Sequence, residues 1–298
     1  MKRILLVMLL VLSIKNYAQI AVTPSDRGAN EEFKKGQLEN YKKTTTVFVF
    51  PTLYKKEEYE KILKEVWKVT PYKVVDFKDY KRSNFLDGNY SFAEIYGNKV
   101  ETQRNTYIHT NYVIKGFDAE KFQKGLKKLK QDDKKLDKKF NELVVENLYS
   151  VARFPLCYTN SFLSHAYKSF DSEEDLAKLY NEMYQDSSFT NTNLGMIKNY
   201  LQQMNQLLDK GEHCGLYDDF SKPEIKYLKE KTLYIPEIYK KQYNAWKINE
   251  KTRDDEAANK LFRDYKYKFE FIKEADLEKR ILNNEEILHR QYLEWLIH

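Results

Sequence analysis

Glycine is scarce in this chain, with nine in 298 residues. None falls in a G-x-x-x-x-G-K, G-x-G-x-x-G or G-x-S-x-G pattern. Phosphate loops, the dinucleotide fingerprint and the hydrolase nucleophile elbow therefore have no candidate. Two cysteines and five histidines form neither C-x-x-C nor H-E-x-x-H, which removes the common redox and zinc signatures. No metal and no cofactor is expected. Arginine is rare as well, nine against 42 lysines, while tyrosine and phenylalanine are plentiful at 24 and 17. Lys, Tyr, Phe, Asn and Ile belong to AT-rich codons, so the aromatics read first as composition and only second as a sugar- or base-stacking surface.

What is present begins at the N-terminus. Lys2 and Arg3 precede an apolar run from Ile4 to Ile14 broken only by Ser13, and Tyr17-Ala18-Gln19 supplies a small residue for cleavage. This predicts a signal peptide over residues 1–19, because the run is shorter than the roughly 20 apolar residues a bilayer span needs. Cysteine is missing at the expected cleavage point, so a soluble product is expected rather than a lipid-anchored one. Without the signal the balance is 48 basic against 45 acidic residues, +3 rather than the +6 of the whole chain. Such a charge gives no reason to invoke nucleic acid.

After export Cys157 and Cys214 meet an oxidising compartment. A disulfide between them is one reading, restricting the unfolded chain by roughly 4 kcal/mol in the entropy model. Two separate buried thiols is the other.

Residues 20–44 lack helical or strand periodicity and read as a loosely held leader. A first α/β unit is expected over 45–170. Thr46-Val47-Phe48-Val49-Phe50 suits a buried strand stopped by Pro51. Tyr59, Ile62, Leu63, Val66 and Trp67 follow at the spacing of one helix face. Tyr72 to Phe77 gives the second strand of a βαβ unit, with the two strands parallel. A short helix over Lys78–Leu86 is expected next, then strands over Tyr90–Tyr96 and Thr106–Ile114 that extend the sheet antiparallel.

Residues 171–230 predict a helical connection. Asp171-x-x-Glu174 reads as a capping box, and Met196, Ile197, Tyr200, Leu201, Met204, Leu207 and Leu208 share one face of a helix that Gly211 ends. Residues 231–298 then appear as a second α/β unit. Thr232-Leu233-Tyr234-Ile235-Pro236 echoes Thr46 to Pro51, and Tyr267 to Lys273 echoes Tyr72 to Lys78. The second copy needs an insertion near Tyr239–Lys251. The expected class is α/β, α+β at its edges, with two βαβ-type units related by duplication.

Chemistry is sparse. Glu212-His213-Cys214-Gly215-Leu216-Tyr217-Asp218-Asp219 gathers an imidazole, a thiol and three carboxylates beyond a helix end, and His213 with Asp218 or Asp219 is the one candidate hydrolase site. Against it, a helix C-terminus disfavours thiolate, and a polar loop explains the same residues. The lysine-rich run Lys121–Lys139 carries Phe122, Leu126, Leu129 and Leu136 on a helical face, continued by Phe140 and Leu143. It offers contact with an anionic membrane surface as a further alternative to a solvated helix.

The segments Glu65-Val66-Trp67-Lys68-Val69-Thr70-Pro71-Tyr72, Lys198-Asn199-Tyr200-Leu201-Gln202-Gln203-Met204-Asn205 and Lys231-Thr232-Leu233-Tyr234-Ile235-Pro236, with the signal ending Tyr17-Ala18-Gln19, resemble an uncharacterised family of exported proteins from Bacteroidota. The resemblance implies no activity and brings no site residues. It implies a second unit shortened at its C-terminus, and, with a helical C-terminus in place of a sorting domain, the periplasm rather than the cell surface. The functional expectation is a non-catalytic exported protein that binds a small ligand or another protein, or assists the envelope.

Overall fold

The computed structural model describes residues 20–101, 106–130, 135–159, 162, 173–185, 188–216, 229–244, 249–285 and 288–289. Its first half is built around β2 (Thr45–Phe48), the start of the run that ends at Pro51. Helix α2 (Lys56–Val66) buries the expected stripe of Tyr59, Ile62, Leu63 and Val66. β3 (Tyr72–Val74) then returns parallel to β2, Thr46 facing Tyr72. The βαβ unit stands as its periodicity predicts.

Beyond β3 the chain departs from expectation. In place of one helix over Lys78–Leu86 there are two 3-10 turns, Phe77–Asp79 and Arg82–Phe85, because the backbone is extended at Lys81. They carry the chain across to the other side of β2. There β4 (Tyr90–Glu101) pairs parallel to β2, with Ala93 opposite Phe48. Antiparallel pairing therefore starts one strand later than expected, at β5 (Thr106–Phe117), and continues through β6 (Leu148–Pro155).

The segment expected as a loose leader is instead structural. Ala21–Val22 forms β1, antiparallel to β6, and completes a six-stranded sheet in the order β1-β6-β5-β4-β2-β3. Ile20, Ala21, Val22 and Thr23 are buried. Tyr41 of α1 (Gln37–Lys42) is fully buried beside Thr46. A run as short as Ile20-Ala21-Val22 shows no period, so only pairing with β6 reveals it.

The lysine-rich run is also not one helix. It folds as α3 (Ala119–Leu126) and α4 (Leu136–Glu146), with Phe122 against Phe140 at 5.8 Å and Gly125 close to Leu143. Phe122 is buried and also meets Phe117, so the apolar face required for membrane contact is turned inward.

Across the helix-covered face of the sheet runs a line of stacked rings: Phe50 on Tyr112 at 5.4 Å, Tyr112 on Phe154 at 5.3 Å, and Phe154 on Tyr200 at 4.4 Å. Tyr200 belongs to α6 (Leu194–Lys210), capped by Asn193 and ended by Gly211 in the left-handed region, φ 70°. All seven of its expected apolar residues are buried. Preceding it is α5 (Glu173–Met183). Asp171 of the expected capping box lies outside the described residues.

The second half repeats the first. β7 (Leu233–Pro236) is central, flanked by β10 (Phe269–Ile272) and β11 (Leu288–His289), both parallel to it. This matches the placement of β3 and β4 around β2. Aligning Pro51 with Pro236 sets Phe48 on Leu233. Phe48 faces Val74 and Ala93, and Leu233 faces Phe269 and Leu288, the flanking partners lying 19 residues apart in both halves. One slipped residue would have reversed every side chain, so agreement on both flanks is strong support for duplication.

The expected insertion is the hairpin β8 (Lys241–Asn244) and β9 (Asn249–Thr252), followed by a short helix α7 (Asp255–Lys260). Helix α8 (Glu274–Leu282) follows β10. Leu288–His289 forms the strand β11, and the rest of the C-terminus expected to be helical, residues 290–298, lies outside the described residues.

The halves meet where α8 crosses α6. Gly195 permits the approach, since a Cβ there would lie 3.0 Å from Glu278 O and 3.1 Å from Glu278 Cα. Glu278 Oε1 accepts from Leu194 N and from Tyr54 Oη, tying α8 to both α6 and the first unit. Lys198, 1% exposed, pairs with Glu65 at 2.7 Å and donates to Leu282 O and Asn284 Oδ1. Gly195→Val is expected to overpack this crossing and cost about 1–3 kcal/mol, read as a lower urea midpoint. An unchanged midpoint would show that the contact bears no strain.

Candidate functional site

In open α/β sheets ligands sit beyond the carboxyl ends of parallel strands, where the chain switches from one side of the first strand to the other. The duplication gives this protein two such positions, and they have been treated differently.

In the first unit the position is filled. Tyr184, at the end of α5, accepts through its carbonyl oxygen from Thr52 N at 2.7 Å and Thr52 Oγ1 at 2.9 Å. Its ring stacks on Phe77 at 4.0 Å, and its hydroxyl accepts from Ile95 N. Beneath lies a charged group on the sheet. Arg82 and Glu94 pair at 2.5 Å, with Glu94 1% exposed. Glu94 Oε2, Arg82 Nε and Tyr80 Oη find no hydrogen-bond partner among the described residues. Burial opposes the Arg82 charge most strongly, but Glu94 and Tyr80 together outweigh it and raise the guanidinium above its ordinary value. Burial lowers Lys115, partly offset by Asp26 and Glu94, and its ammonium lies 4.0 Å from the centre of the Tyr96 ring.

In the second unit the equivalent position is open. A cleft of about 490 Å³ lies beyond Pro236, against the hairpin base and the start of α8. Glu237 and Ile238 occupy the places of Thr52 and Leu53, and Glu274 that of Asp79. Glu274 Oε1 accepts from Ile238 N at 2.7 Å, holding the turn after β7 to the start of α8. Lys240 is held by Asp255 at 2.8 Å and Glu237 at 3.2 Å. The hydrogen bond to Asp255 is the main cause that raises its pKa, with burial opposing. Lys241 pairs with Glu250 at 2.8 Å. Arg253 is fixed through its backbone N on Lys240 O, and Thr190 contributes from the segment before α6, placing the cleft at the seam between the halves.

The residues singled out from sequence are elsewhere. His213 Nδ1 lies 2.6 Å from Asn30 Oδ1 and Nε2 lies 3.9 Å from Glu32, on the loop after α6. Asp218 and Asp219 lie outside the described residues, so the proposed pairing with His213 has no geometry to report. Cys157 and Cys214 are not bonded to each other. Cys157 is buried after β6, while Cys214 bridges to Val22 and directs its Sγ to Ile20 O. Cys214 is half-buried, so the reading of two buried thiols holds for Cys157 alone. His109 lies in β5 and His289 in β11, while His165 and His298 lie outside the described residues. Among the described residues no group of three or more His, Cys, Asp and Glu side chains could hold a metal ion, and no helix is long and apolar enough to cross a membrane.

Lys240, Arg253 and the pair Arg82–Glu94 were missed in the sequence. The repeat carried a usable signal, because it puts Glu237 and Glu274 at the carboxyl ends of parallel strands. Comparison with family models, with curated proteins and with solved structures gives no match in any of the three. The fold thus defines an α/β protein with a repeated parallel core, and the functional reading rests on the site.

Two measurements test the first unit's charged group. Glu94→Leu leaves Arg82, whose side chain is 30% exposed, without its counter-charge. About 2–3 kcal/mol should be lost, less than for a fully buried pair. The double variant Arg82→Met with Glu94→Leu should recover most of it in urea denaturation, and a double variant no more stable than Glu94→Leu would contradict this account.

The second is alkaline. Burial raises the hydroxyls of Tyr112 and Tyr184 well above 10.0 and those of Tyr149 and Tyr180 to about 12. Groups with raised folded pKa values hold their full stabilisation below the unfolded value and lose it as pH climbs toward the folded one. Lys115 acts in the opposite sense but is outnumbered. Stability should fall steeply between about pH 10 and 12, with buried tyrosines ionising only as the chain unfolds. Tyrosinate absorbance that rises fully near pH 10 with the fold intact would refute it.

Proposed function

We propose that this is an exported, non-catalytic binding protein that works in the periplasm, holding a small ligand in the cleft between its halves. The observation that carries the reading is the position of that cleft. It lies at the carboxyl ends of β7 and β10, where α/β proteins bind, while the matching position in the first unit is closed by Tyr184. Lys240 and Lys241 are held by Asp255, Glu237 and Glu250, and Glu274 by Ile238 N, which supports a largely preformed site. Export rests on residues 1–19 and on the likeness to exported Bacteroidota proteins.

Hydrogen exchange of the full chain, with and without the low-molecular-weight fraction of a periplasmic extract, tests this. Protection is expected at residues 237–241 and 252–255. No protection, or protection confined to the first unit, would overturn the reading.

A further inference from the structure

The charges around the cleft do not all cancel. Lys240 is paired with both Asp255 and Glu237, and Lys241 with Glu250, so these three carboxylates exceed the two ammoniums by one charge. The Arg253 guanidinium has no ion pair among the described residues, although its backbone is fixed to Lys240. Glu274 spends Oε1 on a neutral amide, Ile238 N, and has no cationic partner among the described residues. Arg253 and Glu274 both line the cleft, and each lacks an ionic partner among the described residues, so the two signs stand separately on its wall. A lone anion would leave Glu274 uncompensated, and a lone cation would leave Arg253 so.

We propose that the cleft binds a short zwitterionic peptide, its carboxylate on the Arg253 guanidinium and its ammonium on the Glu274 carboxylate. This rests on the binding function proposed above and names the ligand class. Arginine suits the carboxylate end because its planar fork takes both oxygens at once. The volume, about 490 Å³, falls within the range of small-ligand sites. The first unit gives a precedent in the same chain, since its equivalent crevice accepts a polypeptide carbonyl, that of Tyr184, on the residue that matches Glu237.

Calorimetric titration of the full chain at low salt with Ala-Ala, N-acetyl-Ala-Ala and Ala-Ala-amide separates the ends of the ligand. Ala-Ala should bind at least about 10-fold tighter than either capped peptide, the scale of one charged hydrogen bond. Arg253→Gln should bring Ala-Ala and Ala-Ala-amide to equal affinity. Glu274→Gln keeps an acceptor for Ile238 N and should equalise Ala-Ala and the acetylated peptide. Melting temperatures of both variants are measured to confirm the fold.

Equal binding of all three peptides, binding unmoved by Arg253→Gln, or no binding of Ala-Ala up to roughly 10 mM would each overturn the proposal. If Ala-Ala fails while the periplasmic fraction still protects residues 237–241 and 252–255, the ligand class falls and the binding function stands. If both fail, both fall.

Discussion

A lysine ammonium cannot be buried alone, and Lys198 is among the largest fully buried side chains here. Its compensation comes from three groups on two elements: the carboxylate of Glu65 on α2, and the Leu282 carbonyl and Asn284 side chain at the end of α8. Glu65 answers in kind. Burial would raise its carboxyl, but the hydrogen bond and charge of Lys198 bring it below the usual value. Neither half can withdraw without leaving this charge unsatisfied. The relative placement of the two sheets, and so the shape of the cleft between them, follows from how one cation on α6 is satisfied.

The same helix explains why α6 is buried so completely. One side presents Tyr200 to the ring line of the first sheet, and another presents Gly195 and Lys198 to α8. An ordinary surface helix shows one apolar stripe. This one buries Lys198 and Gln203 as well, because it has protein on both sides.

The sequence made some of this legible and hid the rest for physical reasons. Periodicity identified β2, α2, β3 and the α6 stripe, because each carries a continuous run or stripe of buried apolar residues. It failed for β1, whose two residues acquire meaning only from pairing with β6. It failed for β6 too, where Arg153 interrupts the apolar pattern yet is buried by hydrogen bonds to Ser25 O, Asp26 O and Ser150 Oγ. The repeat was readable from Pro236 and Tyr267, and the strand registers agree with it. The cleft was not. Lys240 is one lysine among 42 until the fold brings Asp255 and Glu237 to it, and Arg253 stands out only once its neighbours' charges have been matched.

The repeated strand arrangement gives two equivalent crevices, one closed and one open. In the first, Thr52, Phe77 and Ile95 are all engaged by Tyr184, which converts a ligand position into core. The underlying pair has Glu94 buried and Arg82 still 30% exposed, so the loss of either partner is penalised less than in a fully buried pair. In the second, Ile272 replaces Phe77 and removes the ring on which such a plug would stack. Glu237 replaces Thr52, exchanging a hydroxyl donor for a carboxylate that holds Lys240. An aromatic side chain closing this crevice would have to desolvate Glu237, Lys240, Arg253 and Glu274 together. That cost keeps the second crevice open to solvent and polar.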